Sequence, residues 1–145
     1  MSSLSLELLV LAIVVLLGLA ILPVRFRRQG AALRTQLERS GETLLFGPEL
    51  GYYQGTIRGI VSMSTYGVIA LTGDRLVFRK PIGGDINIPL SQITQISENK
   101  WFAGNYRNGR EFLIVKLTDG TAKAFQVKDH AGWMRELGSR VSAQG

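Results

Sequence analysis

The sequence predicts a mainly β fold: a small antiparallel barrel or sandwich of about seven strands, a capping C-terminal α-helix, and an N-terminal transmembrane helix. Three observations carry this. Residues 4–22 are almost wholly apolar. From residue 42 the chain breaks into short runs of β formers separated by Gly, Asn, Asp and Pro. After Asp129, the residues Trp133, Leu137 and Val141 recur at a helical interval.

The apolar run LSLELLVLAIVVLLGLAIL holds one charge, Glu7, near its outer end. As a helix rising about 1.5 Å per residue it matches the roughly 30 Å hydrocarbon core of a bilayer. A cleaved signal peptide would carry positive charge ahead of a shorter run. Here no Lys or Arg precedes it, and Pro23, Val24 and Arg25 follow. Residues 1–24 therefore read as an anchor. Arg25, Arg27 and Arg28 flank it on the C-terminal side. The positive-inside rule then puts the rest of the chain in the cytoplasm. Residues 25–41 read as a basic juxtamembrane connector. Leu33 and Leu37 fall one turn apart, Ser40-Gly41 supplies a stop, and Gly30 weakens any helix continuous with the anchor.

Residues 42–145 form the β domain. TLLFG (43–47) is a first run that Pro48 breaks, and YYQGTIRGIV (52–61) a second, bent by its glycines. GVIALT (67–72) and RLVFR (75–79) flank Gly73-Asp74 as a hairpin. DINIPL (85–90) alternates as a half-buried strand, and ITQIS (93–97) follows. EFLIVKLT (111–118) and TAKAFQV (121–127) flank Asp119-Gly120, the strongest hairpin signal in the chain. Asp129 caps the closing helix.

The segment YGVIALTGDRLVFRKPIGGDINIPLSQITQI resembles the central part of GRAM domains, within the pleckstrin-homology-like superfamily. Gly67, Leu71, Thr72, Arg75, Leu76 and Phe78 match the family's first run, and Ile88, Pro89, Leu90 and Ile93 its second. LIVKLTDGTAKAFQV and HAGWMREL resemble the last hairpin and closing helix, so the likeness covers about residues 42–141. It implies a PH-like fold and a module that binds lipids, peptides or proteins; fold alone does not choose among them. Lipid-binding members gather Lys and Arg around the loop between their first two strands. Here that region carries Arg58 alone, together with Glu49.

Composition narrows the chemistry. The chain has no Cys, which excludes disulfides, thiol catalysis and thiolate metal sites. His130 is the one histidine, and the acidic residues are scattered rather than spaced as metal ligands. No catalytic, cofactor or metal site is expected. The net charge of +6 suits nucleic acid or anionic lipid. The anchor and closing helix argue against nucleic acid.

Two clusters remain as candidate contacts. Arg79 and Lys80 end a hairpin, where charge also discourages edge pairing. The stretch KWFAGNYRNGR sets Trp101, Phe102 and Tyr106 among Lys100, Arg107 and Arg110. Three readings stay open: a lid folded onto the barrel, aromatics at the headgroup level, or a protein-binding hot spot. Trp101 and Phe102 are expected to face the core, and Tyr106, Arg107 and Arg110 to be exposed. The expectation is a single-pass membrane protein presenting a noncatalytic module to a protein partner. The alternatives are a reader of anionic headgroups, through Arg79, Lys80, Arg107 and Arg110, and an accessory subunit of a membrane complex.

Overall fold

The N-terminal helix α1 (Ser3–Arg39) runs for 37 residues, through both Pro23 and Gly30. The computed structural model describes residues 2–55 and 64–144. The segments read from the sequence as anchor and connector are therefore one continuous helix, not two pieces meeting at a weak joint. Packing explains why Gly30 does not end it. A Cβ there would stand 3.8 Å from the Pro48 side chain and 3.9 Å from Val68, so the helix comes close to the β domain at this point. Leu33 and Leu37, one turn further on, are buried against Val68, Ala70 and Val77. Burial of each leucine is worth about 2 kcal/mol, more than the roughly 1 kcal/mol cost of a helical glycine. The helix stops where Ser40-Gly41 predicts. Gly41 takes a φ of 78°, its N–H donates to the Glu38 carbonyl, and the Glu42 N–H donates to Leu37. Both bonds of the Schellman motif are present.

Seven antiparallel strands form one sheet: β1 (Leu44–Gln54), β2 (Ser64–Thr72), β3 (Arg75–Arg79), β4 (Ile86–Pro89), β5 (Ile93–Asn99), β8 (Phe112–Leu117) and β9 (Ala122–Val127). Their order is β4-β3-β2-β1-β9-β8-β5, so β1 joins the two halves and the edges β4 and β5 leave the barrel unclosed. A separate hairpin pairs β6 (Trp101–Phe102) with β7 (Asn105–Tyr106). The closing helix α2 spans His130–Gln144. The predicted fold class is thus present in its open, sandwich form.

The two predicted hairpins form as their turns dictate. Thr72 Oγ1 accepts from the N–H groups of Asp74 and Arg75, closing the first. Asp119 Oδ1 accepts from the N–H and hydroxyl of Thr121 in the second. The sequence reading differs at β1, whose 11 residues run straight through Pro48. The ladder to β2 slips between Phe46 and Glu49, so the proline sits in a bulge where no ladder donor is needed. Most of the second predicted run, with Arg58, lies outside the described residues.

Between the halves, Ile69, Leu76 and Phe78 meet Leu113, Val115 and Phe125, and α2 closes the cluster with Trp133 and Leu137. Gly67 is fixed by this packing: a Cβ would lie 2.4 Å from the Arg79 carbonyl and 2.6 Å from the Phe78 ring. Asp129 caps α2 as predicted, its Oδ1 accepting from the Gly132 N–H at 3.1 Å.

Candidate interaction site

The hairpin Trp101–Tyr106 answers to local chemistry. Ala103 and Gly104 both take positive φ, 50° and 77°, the requirement of a tight two-residue hairpin turn. Asn108 and Gly109 repeat the arrangement at 57° and 65°, and the Arg110 N–H reaches back to the Arg107 carbonyl. The stretch is two successive turns, not a slack loop.

Neighbouring strand residues point to opposite faces. Phe102 accordingly turns inward, 5% exposed, into a cluster with Phe112 and Ala124. Trp101 turns outward, 59% exposed, against the expectation that both would face the core. It packs on Tyr106, 52% exposed, with ring centroids 5.0 Å apart. The hairpin is therefore pinned by one aromatic and presents two others.

Arg107 departs from expectation in the opposite sense. It is half-buried, with its guanidinium 3.8 Å above the Tyr52 ring. Nη1 donates to Gln126 Oε1 at 2.7 Å, and Nη2 donates to the Tyr66 hydroxyl. Gln126 in turn donates to the carbonyls of Arg107 and Arg110. Arg110 is exposed as expected, though its Nη2 donates to the Val127 carbonyl at 2.8 Å. These residues border a pocket of about 330 Å³ with Lys128, which the sequence reading did not single out. Among the described residues none of Arg107, Arg110 and Lys128 makes an ion pair. The pairs present are Arg75–Glu42, Arg79–Asp85 and His130–Glu98.

Arg79 and Lys80 do not join this group. Arg79 grips Asp85 with two hydrogen bonds, Nε to Oδ1 at 3.0 Å and Nη2 to Oδ2 at 2.9 Å, and also donates to Gln36 on α1. The bond to Asp85 raises the Arg79 pKa further. Its fork is occupied at home. Arg75 holds Glu42 in the same two-pronged way, and that bond lowers the Glu42 pKa below the usual glutamate value. His130 is half-buried with Nε2 2.5 Å from Glu98 Oε2. No group of three or more His, Asp or Glu gathers as metal ligands among the described residues.

A second, larger groove of about 690 Å³ lies between α1 and β1. Leu22, Pro23 and Phe26 line it on the helix side, and Pro48, Leu50 and Val68 on the sheet side. Glu49 and Leu50 border both cavities, so the basic pocket adjoins the groove. Beyond it the exposed surface of α1 is apolar apart from Ser3, Ser5 and Glu7, and the helix is long and apolar enough to cross a membrane.

No family model matches the chain, and no curated protein matches it. Several solved structures match it, among them the following two. The C-terminal domain of an unknown protein from Leishmania infantum is 17% identical, aligns over 77% of this chain and 96% of its own, and gives a TM-score of 0.55. The likeness is one of fold alone. A structure from a systematic screen for protein–lipid interactions in Saccharomyces cerevisiae is 11% identical over 67% of this chain and 94% of its own. Its TM-score of 0.39 is too low to carry an argument.

Proposed function

We propose that the chain is a single-pass membrane protein that holds a noncatalytic, GRAM-like module of the PH-like type at the cytoplasmic surface for a protein partner. The observation that carries this is the single helix α1, apolar over its first part and packed onto the sheet over its last. A module on a flexible tether samples many poses. One mounted on its own anchor through Leu33 and Leu37 keeps one face to the bilayer and another to the cytoplasm. The basic triplet Arg25, Arg27 and Arg28 favours that orientation.

The surface for a partner is the Trp101–Tyr106 ridge. Exposed Trp and Tyr on a rigid turn lose little entropy on binding, and such residues dominate contact energies in protein interfaces. A photoreactive amino acid in place of Tyr106, in the full chain in its own cells, provides the test. A single protein adduct of defined mass, lost on Trp101→Ala, supports the reading. Adducts to lipid alone contradict it.

A further inference from the structure

We propose that the two adjoining cavities form one site for an anionic phospholipid drawn from the membrane that α1 spans. Its phosphate would lie in the basic pocket and an acyl chain in the apolar groove. The proposal rests on the membrane-anchored reading above.

Polarity changes across the site in the sense such a lipid requires. The groove is lined on the helix side by Leu22, Pro23 and Phe26, joined by Arg27 and Arg34, so it opens where the apolar span gives way to basic residues. The far end holds three cations and one acid. The acid, Glu49, has Oε1 engaged at 2.7 Å by the Trp133 indole N–H.

The cations divide the work. Arg107 is held by neutral partners only: the Tyr52 ring, the Tyr66 hydroxyl and Gln126. Its position is fixed while its charge is uncompensated, which is preorganisation for an anion. Arg110 and Lys128 are exposed and complete the rim. A soluble phosphate would need only the basic pocket. The continuity with the apolar groove selects a lipid. The own-membrane source also fits a module that needs no recruitment, since its anchor outweighs any headgroup contact. The bound lipid would seal the helix to the sheet.

The test uses the full chain in detergent, with bound lipid counted by native mass spectrometry. Dioleoyl phosphatidylglycerol and dioleoyl phosphatidylcholine compete at equal concentration. The expected result is one retained phosphatidylglycerol per chain. Arg110→Glu/Lys128→Glu should lower the preference about tenfold or more, since each basic residue near a surface contributes severalfold to anionic lipid binding. Ala31→Trp leaves the cations in place and fills the groove; it should reduce retention of both lipids. Near-UV circular dichroism confirms that each variant is folded, and glycerol phosphate at the same concentration should not displace the lipid. Equal retention of the two lipids, or a preference unchanged in the double variant, overturns the site. Release of the wild-type chain from its membranes by alkaline carbonate overturns instead the anchored reading, and with it the lipid's source.

Discussion

Replacing Leu33 by Ala tests whether α1 and the sheet are one packed unit. Leu33 is 1% exposed and sits against β2 and β3 at the heart of the helix–sheet contact. Truncating a buried leucine costs about 2–5 kcal/mol, with the smaller values where the site can relax. The open groove beside this contact lets neighbours shift and water enter, which argues for the lower half, about 2–3 kcal/mol. For a domain of roughly 100 residues that lowers the midpoint by about 10–20 °C. Thermal unfolding of the full chain in detergent, followed by near-UV circular dichroism of the buried Trp133, reads the shift. Leu19→Ala is the control: the same change on the same helix at a position 60% exposed. It should leave the transition within about 0.5 kcal/mol of wild type. Equal midpoints for the two variants would show that the connector merely tethers the domain. A corollary concerns truncation: a chain beginning at residue 42 would lay bare Val68, Ala70 and Val77, and should aggregate more readily than one beginning at residue 25.

Other perturbations separate packing from surface. Gly67→Ala should destabilise by about 2 kcal/mol or more in denaturant titration, because its Cβ would strike backbone and the Phe78 ring; Gly73→Ala, with open space around it, should not. Glu42 has its pKa lowered chiefly by the Arg75 hydrogen bond, so the stabilisation it gives is present above its unfolded value near 4.5 and is lost as pH falls through the folded value. Glu42→Gln should therefore lower stability at neutral pH and flatten the acid limb below pH 4.5; an acid limb as steep as wild type would refute that account. Trp101→Ala/Tyr106→Ala removes an exposed pair worth about 1 kcal/mol, so its midpoint should fall by about 4–8 °C at most, well short of Leu33→Ala, while the contact with a partner is lost. Arg107→Ala should instead speed amide hydrogen exchange across residues 101–110, since three partners then lose their hold.

What was legible in the sequence was local. Asp119-Gly120, Thr72 to Arg75, Ser40-Gly41 and Asp129 each carry their structure in their own side chains and φ preferences, and each formed as read. What was not legible needed a distant partner. Pro48 and Gly30 look like breakers, yet Pro48 sits in a bulge against β2, and Gly30 passes close to that same bulge. Arg107 looks like a solvated charge until Tyr52, Tyr66 and Gln126 are brought beneath it by three different strands.

Two signals in the sequence went unused. Strand alternation forbids Trp101 and Phe102 from sharing a face. The ladder across Asp119-Gly120 pairs Leu113 with Phe125, and the same register continued by three residues sets Lys128 opposite Arg110. That count would have added Lys128 to the candidate site. Nothing comparable in the sequence points to the groove, which exists only because α1 does not break.

A domain held on the cytoplasmic side by a membrane-spanning helix leaves the two ends of the chain on opposite sides of the bilayer. The chain lacks cysteine, so single thiols report position cleanly. The most direct measurement is labelling of Ser5→Cys and Ser139→Cys by a membrane-impermeant maleimide, before and after lysis of intact cells. Ser5→Cys should label from outside and Ser139→Cys only after lysis, both in chains that resist alkaline carbonate. Labelling of Ser139→Cys in sealed cells, or release of the chain by carbonate, would contradict it.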